Sequence, residues 1–218
     1  MTMKKVFAPL LIALFVMIGL SAKAQTSLYT HPNFDNIARD HQIIAVLPFE
    51  ATVSLRPKDM ERMSAEDIAK MEESEGKSIQ SAMYSWFLKR KKRGKLLVDV
   101  QTIAETNALL NKAGITQDNL SEFTPKEIAG LLGVDAVIMG TYETNKPMSE
   151  GAATALGLVF GVWGPTNQAT VNLFIYNGVD GEVLTNYLKQ VSGSMGSSPD
   201  DLINVLMRKA SRRIAYTK

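Results

Sequence analysis

The chain contains no cysteine among its 218 residues. A chain without cysteine cannot form disulfides, and it cannot hold a metal ion through thiolates. It also lacks a lipobox, since no cysteine is present to carry a lipid anchor. The stability of the fold must therefore come from a hydrophobic core, which a domain of this length can supply.

Histidine is scarce, and familiar catalytic motifs are missing. The two histidines, His31 and His41, show neither H-x-x-x-H nor H-E-x-x-H spacing, which disfavours a zinc hydrolase. The sequence has no G-x-S-x-G elbow and no phosphate loop. Glu72 and Glu73 are interpreted as solvated charge on a helix. We expect a non-enzymatic protein with no catalytic, cofactor-binding or metal-binding residues; an enzyme with an unrecognised carboxylate site is the alternative.

The N-terminal residues match the order of a secretory signal. Lys4 and Lys5 precede an apolar run from Val6 to Leu20, and Ala22-Lys23-Ala24 fits the A-x-A cleavage pattern. The apolar run is short for a membrane-spanning helix, although a retained anchor is the alternative. The sequence thus predicts a signal peptide at residues 1–24 and export of the remaining chain.

Charge is nearly balanced, with 24 basic and 22 acidic residues. Without the leader's lysines the net charge is about −1, which argues against a general nucleic-acid or membrane-surface binder. One basic run stands out, and it comprises Lys89, Arg90, Lys91, Lys92 and Arg93. It is interpreted as a solvated helix end whose cations complement the helix dipole. The alternative is a weak contact with an anionic lipid or polymer.

The segment from Thr124 to Tyr142 predicts a helix followed by a central strand. Thr124 and Glu127 fit a capping box, and Gly133 ends the helix because glycine adopts the left-handed conformation at no steric cost. The run Val134–Met139 is almost wholly apolar, as in a strand covered on both faces of an α/β sheet.

Strand and helix patterns alternate along the rest of the chain. Residues 25–40 are interpreted as an arm laid across the domain or left mobile. A first strand is predicted over Gln42–Phe49, and at Pro48 it either leaves the sheet or forms a bulge, because proline cannot donate to a ladder. Residues 50–63 are predicted to form a loop. A long helix is predicted over 64–93, with Ser64 as its cap and Asp67 placed to complete a capping box. Further elements are predicted as helix 102–113, strand 96–100, an antiparallel hairpin of strands 168–177 and 182–191, and a helix from 199.

These elements predict an α/β fold in a single domain spanning 41–218. Alternating strands and helices favour parallel pairing with right-handed crossovers. The sheet is therefore expected to be mixed, with about five strands: a parallel half and a C-terminal antiparallel hairpin, flanked by helices. Asp135, at the start of the central strand, is interpreted as a cap for backbone N–H groups rather than as a site residue.

Three motifs resemble the curli-secretion-channel (CsgG-like) superfamily: IIAVLPF, LLGVDAVIMGTY and VNLFIYNGVDGEVL. That superfamily includes periplasmic activators of penicillin-binding proteins and resembles the N-terminal domain of the Tol translocation protein TolB. The resemblance covers roughly residues 42–216. It implies a periplasmic or outer-membrane-associated protein of a Gram-negative-type bacterium that contacts other envelope proteins in envelope assembly or secretion. It also allows a homo-oligomer and peripheral contact with the membrane.

The chain departs from the channel-forming members of that superfamily. Those members carry two membrane hairpins, and the gap that would hold the second, Val191–Ser198, is too short for two spanning strands of about ten residues each. The lipid-bearing cysteine common in the superfamily is also absent. An oligomeric secretion-pore subunit is therefore the alternative function and not the expected one.

The gap that would hold the first membrane hairpin lies between the strand segments Val134–Thr144 and Thr170–Tyr176, and it contains an apolar insertion at residues 148–166. Ala152–Trp163 is apolar apart from Thr154, and it is shorter than the roughly 20 residues of a spanning helix. Gly157 and Gly161 form a close-packing G-x-x-x-G pair. Three interpretations stay open: a helix buried on its own sheet, an interface, or a shallow membrane wedge. The candidate interface residues are Gly157, Leu158, Phe160, Gly161 and Trp163.

Overall fold

A computed structural model of the chain describes residues 26–54, 61, 63–144, 168–193 and 199–218. The predicted signal peptide lies outside the described residues. So does the apolar insertion, with its five candidate interface residues from Gly157 to Trp163. The predictions made for those segments remain predictions.

Within the described residues, seven strands form one sheet. They are β1 (Thr26–Thr30), β2 (Ile43–Val46), β3 (Glu50–Val53), β4 (Asp99–Val100), β5 (Ala136–Thr144), β6 (Gln168–Asn177) and β7 (Val183–Ser192). The α-helices of the same residues are α1 (Phe34–Ile37), α2 (Ala65–Lys92), α3 (Ile103–Lys112), α4 (Pro125–Leu132) and α5 (Pro199–Ala210). Short 3-10 turns occupy Ala38–Asp40 and Leu120–Glu122.

The sheet is mixed, as predicted. The strand order is β1-β7-β6-β5-β2-β4, and β3 also pairs with β5. β2 is parallel to β4 and β5, and β3 is parallel to β5. The β5–β6, β6–β7 and β1–β7 pairs are antiparallel. The parallel half and the C-terminal hairpin are thus both confirmed.

The two strands beyond the expected five lie in segments predicted to be irregular. The arm at residues 25–40 contributes β1, which pairs with β7 at the sheet edge. Every residue of β1 is exposed, so neither side of the strand has to be apolar, and its sequence shows no apolar alternation. The predicted loop at 50–63 is wrong at its start, where Glu50–Val53 forms β3. Pairing with β5 stabilises that strand. A short local signal was present, because the exposed polar Glu50 and Thr52 alternate with the buried apolar Ala51 and Val53.

β2 and β3 follow the same edge of β5 and are separated by a break at Pro48, as predicted. Val46 pairs with Ile138 and Glu50 pairs with Thr141, so the interrupted side uses one residue more than its partner. Proline cannot donate to the ladder, which explains why the extra residue falls there.

The strand predicted at 96–100 is shorter in the structure. Only Asp99–Val100 pairs with β2, whereas Leu96 forms an isolated antiparallel bridge with Thr217. The backbone N–H of Leu97 donates to the carbonyl of Tyr216 at 3.0 Å. Leu96 and Leu97 therefore pair with the C-terminal residues instead of with β2.

The helix boundaries follow the predicted caps. Ser64 and Asp67 form a capping box at the start of α2, and Thr124 and Glu127 form one at the start of α4. Gly133 ends α4 in the left-handed conformation with φ of 66°. Each cap satisfies backbone N–H groups that the first helical turn leaves free. None of the described helices is long and apolar enough to cross a bilayer.

Two hydrophobic clusters lie on opposite faces of the sheet. α2 and α5 cover the first cluster, which contains Ile138, and α3 and α4 cover the second, which contains Val137. Both of these neighbouring β5 residues are fully buried, as predicted for a central strand. The second cluster takes its strand residues mainly from β2 and the first half of β5. Among the described residues, the antiparallel half of the sheet is therefore well covered on one face only.

Candidate functional site

One face of the antiparallel half of the sheet is only partly covered. Along β6, half-buried residues alternate with buried ones such as Val171 and Leu173, which point into the first cluster. Strand pairing aligns half-buried side chains of β5, β6 and β7 with exposed ones of β1 and β5 in two rows. We call these eight residues the open face: Tyr29, Asn186, Phe174 and Met139 in one row, and Ser27, Leu188, Asn172 and Thr141 in the next.

Aromatic rings and side-chain amides share the open face. The rings of Phe174 and the adjacent Tyr176 stack, with centroids 5.7 Å apart and planes at 22°. The amide of Asn186 donates to the side-chain oxygen of Asn172 at 2.7 Å. Burial raises the pKa of Tyr176, so its phenol stays protonated at neutral pH. The surface thus offers flat apolar area next to oriented hydrogen-bonding groups.

A cleft of about 670 Å³ continues from the open face towards β3. Met139, Phe174 and Tyr176 contribute to its lining, and the first half of α2 and residues 116–121 form other walls. Ionisable side chains in the lining are mostly acidic. The acidic ones are Glu50, Glu66, Glu72, Glu73 and Asp118, and the basic one is Lys70.

Three of the five carboxylates have structural partners. Glu66 pairs with Lys70 at 2.7 Å, and Glu73 pairs with the lysine one helical turn further on. Glu72 accepts the backbone N–H of Val53 at 3.0 Å, which joins α2 to β3. Glu50 and Asp118 are exposed and take part in none of the ion pairs of the described residues. The cleft therefore presents net negative charge to its surroundings.

The walls of the cleft are held together at Phe49. Its backbone N–H donates to the carbonyl of Gly76 in α2 at 3.3 Å. Its own carbonyl accepts a hydrogen bond from the side-chain amide of Gln117. The loop after α3, the break after β2 and the middle of α2 are therefore joined at one residue, and the shape of the cleft depends on that junction.

Both histidines lie outside the cleft lining and make contacts elsewhere. His31 Nε2 lies 3.1 Å from a carboxylate oxygen of Glu182, and His31 Nδ1 accepts the backbone N–H of Asn33 at 3.1 Å. His41 Nδ1 lies 2.6 Å from the hydroxyl of Tyr216. Within the described ranges, no group of three or more histidine and carboxylate side chains could hold a metal ion.

Asp135 acts as a backbone cap, as interpreted from the sequence. One oxygen of its carboxylate accepts the N–H of Gln42 at 2.7 Å and the N–H of Ile43 at 2.9 Å. These donors start β2, so the residue that precedes β5 fixes the entry of the neighbouring strand.

The basic run at the end of α2 does not behave as one solvated group. Lys89 lies over the ring of Trp86, with its Nζ 4.1 Å from the centroid, and Lys91 forms an ion pair with Asp99. Arg90 is buried, so the solvated interpretation is wrong for this residue. The sixth and seventh turns of α2 pack Met83 and Phe87 inward, and Arg90 follows them on the same face.

Sequence reasoning missed the open face. A signal for it was present in β6, where Phe174 and Tyr176 occupy the side opposite the buried Val171 and Leu173. Aromatic residues on the polar side of an alternating strand indicate that this side also has a partner or a cover.

No protein-family model and no curated protein matches the sequence. Among solved structures, the chain is similar to a PelC dodecamer from Paraburkholderia phytofirmans, at 13% identity and a TM-score of 0.46, over 89% of this chain and 99% of that one. It is also similar to lipoprotein GNA1162 from Neisseria meningitidis, at 13% identity and a TM-score of 0.45, over 80% and 98%.

A third similar structure is the LpoB C-terminal domain from Salmonella enterica, at 9% identity and a TM-score of 0.30, over 75% of this chain and 93% of that one. These structures include one described as a lipoprotein and one described as a dodecamer. Similarity at such TM-scores carries no argument about function.

Proposed function

We propose that the protein is a non-enzymatic accessory protein of the cell envelope that binds another envelope protein through the open face and the acidic cleft. The observation that carries this proposal is the open face itself. Four strands present two rows of partly covered or exposed side chains there, while the opposite face of β5, β6 and β7 is packed in the core. The signal-like N-terminus supports a place in the envelope.

The composition of the open face suits protein recognition. Tyr29 is 45% exposed, and the stacked rings of Phe174 and Tyr176 continue the apolar surface into the cleft. Aromatic side chains supply large contact area at low entropic cost and are enriched in interface hot spots. The paired amides of Asn172 and Asn186 add directional hydrogen bonds that favour one partner over others.

The charge of the cleft specifies the chemistry of the partner. Glu50 and Asp118 are exposed carboxylates on two of its walls. A matching segment carries lysine or arginine beside apolar side chains, so that cations meet the carboxylates while apolar groups cover the rings. Complementary charge raises the association rate and makes it sensitive to salt.

A non-enzymatic role is supported by the contacts of three cleft carboxylates, each of which already has a partner within the fold. Glu66 and Glu73 each pair with a lysine on the same helix, and Glu72 accepts a backbone N–H of β3. The two ion pairs lie within α2, and the contact of Glu72 joins the helix to β3, so all three are structural contacts. A general acid or base needs a carboxylate placed towards a reacting group.

Photo-crosslinking in cells tests the proposal. A photoreactive residue placed at Leu188, on the open face, is expected to capture one envelope protein. The same residue at Leu97, which is 53% exposed beyond the opposite edge of the sheet, is expected to capture none. Reversing both cleft charges with Glu50→Lys and Asp118→Lys should lower capture from Leu188 by about tenfold or more. Glu105→Lys, on exposed α3 outside the cleft lining, is the matched control and should leave capture unchanged.

Three outcomes would overturn the proposal. Equal capture from Leu97 and Leu188 would show that contact is not confined to the open face. Capture that survives the double charge reversal would remove the role of the cleft. A crosslink of the chain to a second copy of itself, in place of another protein, would replace the proposed partner with a homo-oligomer.

A further inference from the structure

Arg90 is a buried cation, and two of its three side-chain nitrogens are without a hydrogen-bond partner. Its side chain lies in the last turns of α2, and the residue is only 7% exposed. Its Nε and Nη2 atoms are buried and make no hydrogen bond. Burial of an unpaired charge is costly, and buried donors normally find an acceptor. The guanidinium is therefore placed as if an acceptor were to be supplied from outside the chain.

The neighbouring charges that act on this guanidinium are also positive. Burial, followed by the positive charges of Arg212 and Arg93, lowers the pKa of Arg90. Arg93 follows the last residue of α2, and Arg212 lies in the turn after α5. α2 and α5 pack against each other, and the residues that follow them place the charges of Arg93 and Arg212 near enough to act on Arg90. None of the three arginines pairs with a carboxylate among the described residues.

The geometry of the unpartnered atoms defines the acceptor. Nε and Nη2 lie on one edge of the planar guanidinium, so their N–H bonds run parallel and fit two oxygens of a single oxyanion. Trp86, one helical turn before Arg90, also has a buried Nε1 without a hydrogen bond. The end of α2 therefore carries three buried donor atoms that find no acceptor among the described residues.

We propose that Arg90, Arg93 and Arg212 form a binding site for a phosphate-class oxyanion. Arg90 supplies the bidentate edge, and the exposed Arg93 and Arg212 add charge at the rim. The same chemistry fits free phosphate and the headgroup of an anionic phospholipid. The site lies on the α2–α5 side of the sheet, opposite the open face, and is independent of the proposed protein-binding function.

Thermal unfolding with inorganic phosphate provides the first test, with chloride at matched ionic strength as the reference. Phosphate should raise the Tm of the purified protein, because a ligand that binds only the folded state stabilises it. Arg90→Met should lose this increase while its Tm without phosphate stays at or above that of the wild type, since it removes an unpaired buried charge. Lys92→Met removes an exposed cation of the same run and should keep the increase.

Binding measurements separate the contributions of charge and shape. Arg90→Lys keeps a positive charge but loses the planar edge, so its affinity for phosphate should fall by about tenfold or more. Arg212→Gln changes an exposed side chain and should weaken binding without affecting the fold. This second variant keeps the proposal testable if changes at Arg90 prevent folding.

Vesicle cosedimentation distinguishes the two sources of phosphate. Binding to phosphatidylglycerol vesicles, absent with phosphatidylcholine and lost in Arg90→Met, would identify a lipid headgroup as the ligand. A phosphate effect that depends on Arg90, without vesicle binding, would identify free phosphate. The proposal is overturned if neither phosphate nor phosphatidylglycerol distinguishes the wild type from Arg90→Met. It is also overturned if Arg90→Met unfolds at a much lower Tm without phosphate, because Arg90 would then have a partner within the chain.

Discussion

Gly76 lies where α2 comes closest to the chain that leaves β2. A side chain at this position would collide with the carbonyl oxygen of Phe49 and the amide of Gln117. From the sequence alone, this glycine is expected to destabilise the long helix, because glycine has a low helix propensity. In the structure its missing side chain permits the junction that holds the walls of the cleft together.

Gly76→Ala should therefore destabilise the protein although alanine is the better helix former. Overpacking against backbone typically costs about 1–3 kcal/mol. Gly130→Ala is the matched control, because Gly130 also lies in a helix and a Cβ there would meet no atom within 4 Å. That change should stabilise the protein by up to about 1 kcal/mol through helix propensity and reduced freedom of the unfolded chain.

Urea unfolding of the two variants measures both effects. The expected result is a lower midpoint for Gly76→Ala and an equal or higher midpoint for Gly130→Ala, with unchanged slopes. If both glycines respond alike, the close approach between α2 and Phe49 does not constrain the fold.

At the scale of elements, the entry of β2 depends on a carboxylate from a different part of the chain. Asp135 accepts two backbone N–H groups, those of Gln42 and Ile43, immediately before β5 begins. The two strands then run parallel from a common starting point, with Ile44 opposite Ala136. One side chain thus helps to set the register of the parallel half.

Asp135→Ala should lower the free energy of unfolding by about 1–3 kcal/mol, because it leaves two backbone donors without their acceptor. Asp135→Asn keeps an acceptor oxygen of similar position and should lose less. Asp180→Ala is the control, since Asp180 accepts a single N–H, that of Glu182, in an exposed turn. Chemical denaturation of the three variants gives the order. A loss for Asp180→Ala as large as that for Asp135→Ala would contradict the role in strand register.

The elements that could be predicted from sequence are those with local causes. The capping boxes at Ser64 and Thr124 and the stop at Gly133 depend on residues within one helical turn, and they are found where predicted. The apolar run after Gly133 predicts a strand covered on both faces, and the first half of β5 is such a strand. Each of these features can be read in a short window of sequence.

The features that could not be predicted depend on distant partners. β1 exists because Thr26–Thr30 pairs with residues 185–189 of β7, and nothing in its own five exposed residues requires a strand. Arg90 lies in a run of cations that normally remains solvated, and only the packing of α2 on the sheet turns it inward. The open face likewise becomes visible once the strand register is known, because its rows combine residues from four strands.

At the scale of the whole molecule, the early and late parts of the described chain meet at Tyr216. This residue is 1% exposed, and its ring packs edge-on against Phe34 with centroids 5.1 Å apart. Its hydroxyl lies 2.6 Å from Nδ1 of His41. The following residue, Thr217, bridges to Leu96, beyond the end of α2. The C-terminal segment therefore closes the first hydrophobic cluster and joins it to the residues that precede β2.

The protonation states at this junction are linked to burial. Burial lowers the pKa of His41 below 6.5, and this effect outweighs the nearby carboxylates, led by Asp135, which raise it. Burial also raises the pKa of Tyr216 well above its ordinary value. At neutral pH the tyrosine hydroxyl is therefore protonated and can donate to the neutral imidazole, which ties the C-terminal segment to the start of the sheet.

The stability of the fold should consequently fall as the pH is lowered from 7.5 to 5.5. In the unfolded chain His41 titrates near pH 6.5, whereas in the folded protein its pKa is lower, so the unfolded state binds more protons in this window. The contribution is complete above pH 6.5 and is lost as the pH falls through the folded pKa. His41→Gln cannot titrate but can still accept from Tyr216, so its free energy of unfolding should fall less between the two pH values. Urea unfolding at pH 7.5 and pH 5.5 measures the free energy of unfolding of both proteins. If it falls by the same amount in wild type and variant, the burial of His41 does not couple this junction to pH.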